Sequence, residues 1–425
     1  VRIAIALFLA ATGPGPADVG PRAAPVRTEV DGSITFRAAL QRADEDPTTR
    51  GLREALRVRR AGDAKIRGVT DPLQVSLYPG ARVAPAGERG PQLQLQISQQ
   101  IPLSRVGAAR KQAATAEREQ LSAAADAARL QRRLEVAEAW LQQWALQHQA
   151  EVLRRELQAS DGWTQDTRRL VDAGEAKRTE LSTALAWRTE VELDVLALEG
   201  DMHHAGLRLA ELVGRDDVEQ LGARGQPPTV PLDDASLLRL AELAEDLPAV
   251  RRPRLAAAAA RAREVEIVRD NGWKLAVGGM AQMDQPGPAL GVFGQIGVQI
   301  PMGGRNERAR AVELGQAATL DGEAEAAARQ TRREIRDALH ELHHTGEQLE
   351  ALRERLVPAL DEIAELELRS LTQGETTTRR VVEARRSSLA GHRRVARTEG
   401  ERAWAELRVW LLIVALEDDT AQDPS

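Results

Sequence analysis

The chain contains no cysteine and little aromatic surface: Phe, Trp and Tyr together make up 3% of its 425 residues. Without cysteine there are no disulfides, no thiolate metal sites, no cysteine nucleophile and no lipid-modified N-terminal Cys. Beyond the N-terminus no apolar run approaches the ~18 residues of a membrane-spanning helix, so a membrane-embedded role falls to β-strands. With few aromatics and 29% charged residues, one thick globular core is a poor fit. Ala, Arg, Glu, Leu and Gln dominate instead, a mix suited to long helices that bury narrow seams. The net charge of -6 is mild, and both signs are interspersed, leaving no basic face for a nucleic acid.

The first twenty residues, "VRIAIALFLAATGPGPADVG", have the layout of a signal peptide. Arg2 is a small n-region, 3–11 an apolar h-region, and the Gly/Pro stretch from Gly13 ends any helix, with Ala17 or Ala24 near the cleavage point. The expected organisation is a signal peptide over 1–25, a first repeat over 26–213, a linker over 214–240, a second repeat over 241–416 and a disordered tail over 417–425.

The two repeats announce themselves by landmarks about 200 residues apart and in the same order. "QIP" stands at 100–102 and 299–301, Gly-Glu at 174–175 and 374–375, and proline-led helix openings at Pro47 and Pro248. Each half reads as helix, two strands, one very long helix, a turn at Gly-Glu and a returning helix. The strands are expected over about 73–83, 92–101, 274–283 and 290–300. In "QLQLQISQQIP" Leu93, Leu95, Ile97 and Ile101 alternate with Gln94, Gln96, Ser98 and Gln100. In "LGVFGQIGVQIP" Leu290, Val292, Ile296, Val298 and Ile300 share one face. Such alternation marks strands with one apolar face, and uncharged polar faces of Gln, Ser and Gly also suit outer-membrane strands. Pro79-Gly80 interrupts the first strand.

The long helices are expected over about 103–171 and 306–371. Ile335, Leu342, Leu349, Leu356 and Ile363 recur every seven residues, with Ala338, Thr345, Leu352, Ala359 and Leu366 between them, as in a coiled-coil seam. Leu130, Leu134, Ala137, Leu141 and Trp144 step likewise in the first half. Pro358 is expected to bend the second long helix.

"HELHH" at 340–344 matches the H-E-x-x-H pattern in which two histidines hold zinc and Glu341 would act as general base. The seam places His340, His343 and His344 outside it. A peptidase needs a third ligand from another element, but the downstream acids Glu362 and Glu365 lie on the same expected helix, ~30 Å away. The cluster is therefore read as a solvated helix face, with metal binding across several copies as the alternative. Neither a catalytic residue nor a cofactor is expected.

"LQLQISQQIPLSRVGAARKQAA", "GVQIPMGGRNERARA" and the two Gly-Glu turns, in this order and spacing, closely resemble the TolC-like outer-membrane efflux factor family. The resemblance spans residues 33 to 416. It implies a mainly α fold with a small β part: a homotrimer sharing a twelve-stranded barrel in the outer membrane of a Gram-negative bacterium, continued by an α-helical tunnel into the periplasm. It implies a passive export duct fed by an inner-membrane pump and a periplasmic adaptor. Gly174, Glu175, Glu180, Gly374 and Glu375 would then mark the adaptor-docking tip. The family commonly carries a carboxylate six residues after the turn Gly; Glu180 fits, but Arg380 takes that place in the second repeat. Asp361, Glu362, Glu365 and Glu367 are the candidate acids narrowing the lumen. A soluble periplasmic coiled-coil scaffold without a pore is the competing reading. The exported substrate is not encoded in these motifs.

Overall fold

The computed structural model describes residues 32–63, 73–83, 89–215, 220–230, 232, 234–284, 289–300 and 306–420. The expected signal segment lies outside them, as do the strand connectors 84–88 and 285–288, part of the linker, and the last five residues of the tail. The first half runs β1 (Ser33–Thr35), α1 (Phe36–Asp44), α2 (Pro47–Asp63), β2 (Gln74–Val83), β3 (Arg89–Pro102), α3 (Val106–Asp172) and α4 (Arg178–Leu212). The second runs β4 (Gly222–Arg224), α5 (Asp234–Glu242), α6 (Pro248–Asp270), β5 (Lys274–Asp284), β6 (Ala289–Gln299), α7 (Glu307–Ala351), α8 (Val357–Thr372) and α9 (Thr378–Thr420).

α3 is 67 residues long, about 100 Å at ~1.5 Å per residue. α4 folds back along it, α6 and α9 also pack on it, and α7 and α8 extend beside α6 and α9. Each contact buries a narrow stripe, much of it alanine: Ala113, Ala123, Ala137 and Ala150 on α3, Ala257 and Ala260 on α6. Small side chains let helix backbones approach closely, which suits a layer one helix thick.

Midway along the helices the layer thickens around Trp140, whose indole is fully buried. Its Nε1 donates to the Ile34 carbonyl at 2.9 Å, and its ring meets Phe36 edge-on at 5.3 Å. Ile34 lies in β1, which pairs in parallel with β4 across the repeat boundary. Leu209, Leu221, Leu407 and Leu411 complete this core.

The second long helix does not simply bend at Pro358. A π-turn, Leu352–Leu356, precedes the proline, which then occupies the first turn of α8. The helix runs on through this point, and the π-turn lies where the proline removes one N–H from the ladder. A π-turn accommodates one extra residue, and the sequence has one. The QIP tripeptides begin at 100 and 299, 199 apart, whereas the Gly-Glu turns begin at 174 and 374, 200 apart. Ile335, Ala338, Thr345, Leu349 and Leu352 are buried as the seven-residue spacing requires, but Leu356, Ile363 and Leu366 are exposed. The π-turn advances the inward face by one position. Val357 and Leu360 now reach towards Gly391 of α9, and the heptad stripe turns outward.

Candidate functional site

One end of the molecule is a four-stranded antiparallel sheet in the order β2-β3-β5-β6. β2 runs through Pro79-Gly80 without a break, pairing Pro79 with Leu93 and Gly80 with Gln92. It is the outer strand of the sheet, where a missing N–H is tolerated. The register sets Val75 and Leu77 of β2 beside Ile97 and Leu95 of β3, and these beside Gly279 and Ala281 of β5. Ala281 and Val277 in turn lie beside Val292 and Ile296 of β6. One face is thus apolar across all four strands. The other carries Ser76, Gln94, Gln96, Ser98, Gln282 and Gln295, and Gln96 donates to Gln295 at 3.1 Å. The apolar face has no cover: Val75, Leu77, Leu95, Ile97, Val292 and Ile296 are all exposed. Both β2 and β6 leave an edge unpaired within the chain. No helix among the described residues is long and apolar enough to cross a membrane.

At the opposite end of the long helices lie the two Gly-Glu turns, built alike. Gly174 and Gly374 have φ of 78° and 75°. Glu175 N–H donates to the Leu170 carbonyl at 2.8 Å, and Glu375 N–H to that of Ser370 at 2.9 Å. Gly174 and Gly374 N–H donate to Val171 and Leu371 at 3.1 Å. This pair of bonds is the Schellman ending, which needs a left-handed residue. Glu180 Oε2 accepts from the Lys177 N–H at 3.4 Å, capping the start of α4. Arg380 occupies the corresponding place in the first turn of α9 and cannot do so.

The four acids of α8 differ in engagement. Asp361 accepts from the Ser388 hydroxyl and faces His392 Nε2 at 3.1 Å, binding α8 to α9. Glu367 accepts from the Thr376 hydroxyl at 2.7 Å, bracing the turn. Glu365 pairs with Arg369, one helical turn on, at 3.1 Å, and Glu362 is exposed with no partner among the described residues. Sequence reasoning treated the four as equivalent; the tethering of Asp361 depends on residues about thirty positions away and carries no local signal.

His340, His343 and His344 are all exposed on α7. His340 and His344 stack with rings 5.8 Å apart and 4° from parallel, an arrangement in which they do not converge on a point between them. His343 Nε2 lies 3.2 Å from Glu347, and His344 lies 2.8 Å from Gln348. Among the described residues no three His, Asp or Glu side chains are grouped as a metal site would require.

Known structures share this architecture. A membrane protein from Pseudomonas aeruginosa superposes with a TM-score of 0.73 at 19% identity, over 92% of this chain and 95% of that one. The outer membrane protein VceC from Vibrio cholerae gives 0.65 at 17% identity, over 90% and 95%. The fold is that of TolC-like outer-membrane channels. The CmeC outer membrane channel of Campylobacter jejuni also matches, at 0.68 and 10% identity, over 91% of this chain and 88% of that one. At these identities the likeness is one of fold. No family model matches the sequence, and no curated protein does.

Proposed function

We propose that three copies of this chain form a passive export duct in the outer membrane, taking substrates from an inner-membrane pump through a periplasmic adaptor. The observation that carries this reading is the sheet, with one predominantly apolar face, an opposite face rich in Gln, Ser and Gly that also carries Tyr78, Met280 and Phe293, and both edges open. An uncovered apolar face fits lipid, and in lipid no strand edge can stay unpaired, so the sheet must close with other copies. Three sheets of four strands make a barrel of twelve. β5 and β6 are eleven residues each, about 37 Å long at ~3.4 Å per residue. Tilted by ~40° they span about 28 Å, close to the apolar band of about 25 Å in such barrels.

The helices then carry the duct ~100 Å away from the membrane. At its far end the paired turns at Gly174-Glu175 and Gly374-Glu375, with Glu180 in the first, offer the adaptor two similar docking points per chain. Glu362 and Glu365 are the acids free to line the narrowed tip; Asp361 and Glu367 hold its shape. The test is light scattering on detergent-purified protein followed by conductance in planar bilayers. The duct predicts a trimer with stepwise conductance. A monomer that stays soluble without detergent and passes no current is the scaffold instead.

A further inference from the structure

Midway along the helices the layer has two unlike faces. On one, Gly346 and Glu350 of α7 and Arg402 of α9 line a cavity together with Val230 and with Leu237 of α5. Val230 also packs against the core around Trp140, to which β1, β4 and α1 contribute, so all these added elements thicken the same side. Gln348 of α7 lies two residues, ~200° of helix, from both Gly346 and Glu350. Arg397 of α9 lies five residues, ~140°, from Arg402, and Gln149 of α3 nine residues, ~180°, from Trp140. These three point away from the thickened side, and they line one cavity of about 450 Å³.

Every side chain lining that cavity is polar, and Arg393, Arg394 and Arg397 of α9 accompany a single carboxylate, Glu401. Arg393 is held by Asp194 of α4 at 2.9 Å. Arg397 reaches Glu401 at 2.8 Å, an exposed pair one helical turn apart that a ligand can displace at little cost. Arg394 is exposed and has no partner among the described residues. The cavity therefore keeps an uncompensated guanidinium beside two others already positioned. A guanidinium presents a planar fork that matches carboxylate and phosphate oxygens. The amides of Gln149 and Gln348 add hydrogen-bonding groups from the two neighbouring helices. Glu362 stands fourteen residues beyond Gln348, ~20 Å nearer the tip. That is more than two Debye lengths of ~8 Å at physiological salt, so the tip acids do not neutralise this site.

We infer that this cavity is a binding site for organic anions bearing carboxylate or phosphate groups, and that solutes meet it in transit between the tip and the barrel. Its volume falls in the range of ~300–1,000 Å³ typical of sites for small organic ligands. In a duct the thickened side of the layer must lie outside, because three copies of it would fill the bore. The arginine face then lines the channel. The transit role rests on the duct reading above, whereas binding needs only one chain.

Calorimetry on the detergent-purified full chain tests it, with citrate and inorganic phosphate as separate probes at physiological salt. At least one probe should bind, and which one does separates a carboxylate site from a phosphate site. Arg394→Gln with Arg397→Gln should weaken that binding tenfold or more. The same loss of charge at the tip, Arg168→Gln with Arg169→Gln, should leave it within twofold. If the first pair proves unfolded by melting temperature, Arg394→Gln alone carries the comparison, since that side chain is exposed. A wild type that binds neither probe overturns the inference, as does equal weakening in both pairs or none in either. Trimer size and stepwise conductance do not depend on these arginines, so the duct survives that failure. In bilayers the bound probe should lower the current through wild-type trimers, with tenfold or greater loss of potency in the Arg394, Arg397 variant. A current that the bound probe leaves unchanged overturns the transit role. Binding through the same arginines by a monomer that passes no current removes the duct and the transit role together and leaves the site.

Discussion

Gly174 and Gly374 owe their place in the turns to backbone conformation alone, because a Cβ added to either meets nothing within 4 Å. Gly174→Ala should therefore cost about 1–2 kcal/mol, the penalty of a left-handed alanine, and concentrate it at the tip. Amide exchange should quicken in residues 168–180 and stay unchanged around Trp140. The turns were legible because glycine at a helix ending is a local signal; the capping bond of Glu180 could have been read from its place three residues after Lys177. Asp44 could not. Burial pushes its carboxyl up, but hydrogen bonds and charge from Arg133 and Arg129 outweigh this and hold it below the usual carboxylate range. A lowered folded-state value favours the fold above the ordinary value of about 3.9, and that contribution disappears as pH falls through the folded-state value. Melting temperature should thus drop between about pH 5 and 2, and Asp44→Asn should flatten that part of the profile. The "HELHH" string shows the converse, a five-residue match whose side chains the helix spreads over an exposed face.

At the scale of elements, period decided what could be read. Strands β3 and β6 and the long helices follow alternation and heptads, because each side of these elements meets a different medium. β1 and β4 are three residues each, too short to hold any period, so the small core around Trp140 had no signature beyond a buried aromatic in an aromatic-poor chain. The heptads over 335–366 read as one continuous seam, and the π-turn breaks it. The clue was present in the unequal spacing of the repeats, 199 residues at QIP and 200 at Gly-Glu, which a one-residue insertion explains. It leads to an asymmetric expectation. Deleting Arg355, exposed within the π-turn, should convert the turn to regular helix and preserve the phase of α7 and α8, lowering the melting temperature by only a few degrees. Deleting Arg155, exposed at the matching height of α3, should rotate everything from there to Gly174 by ~100°. That deletion pulls Trp163 and Thr164 out of register with α4 and should leave the tip open to protease.

At the scale of the whole molecule, the two faces of the sheet make opposite demands on the same strand. Leu95 and Gln96 are neighbours on β3 at mid-height, one on the apolar face and one on the polar face. In a barrel, strand alternation sends the first to lipid and the second to the lumen. A cation at Leu95 must then sit in hydrocarbon, costing about 2–4 kcal/mol near the bilayer midplane, whereas one at Gln96 remains in water. Leu95→Arg should reduce folding into lipid vesicles by one to three orders of magnitude, by the same free energy converted at ~1.4 kcal/mol per decade. Gln96→Arg should insert normally and, present three times in one pore, shift reversal potential under a salt gradient towards anions. A soluble scaffold makes neither distinction, since both side chains would face water and either arginine would be harmless. Equal insertion of the two variants, with no change in selectivity, would therefore rule out the barrel even if the protein proved trimeric. The pair of substitutions, one residue apart, separates oligomerisation from membrane spanning, which size measurements alone cannot do.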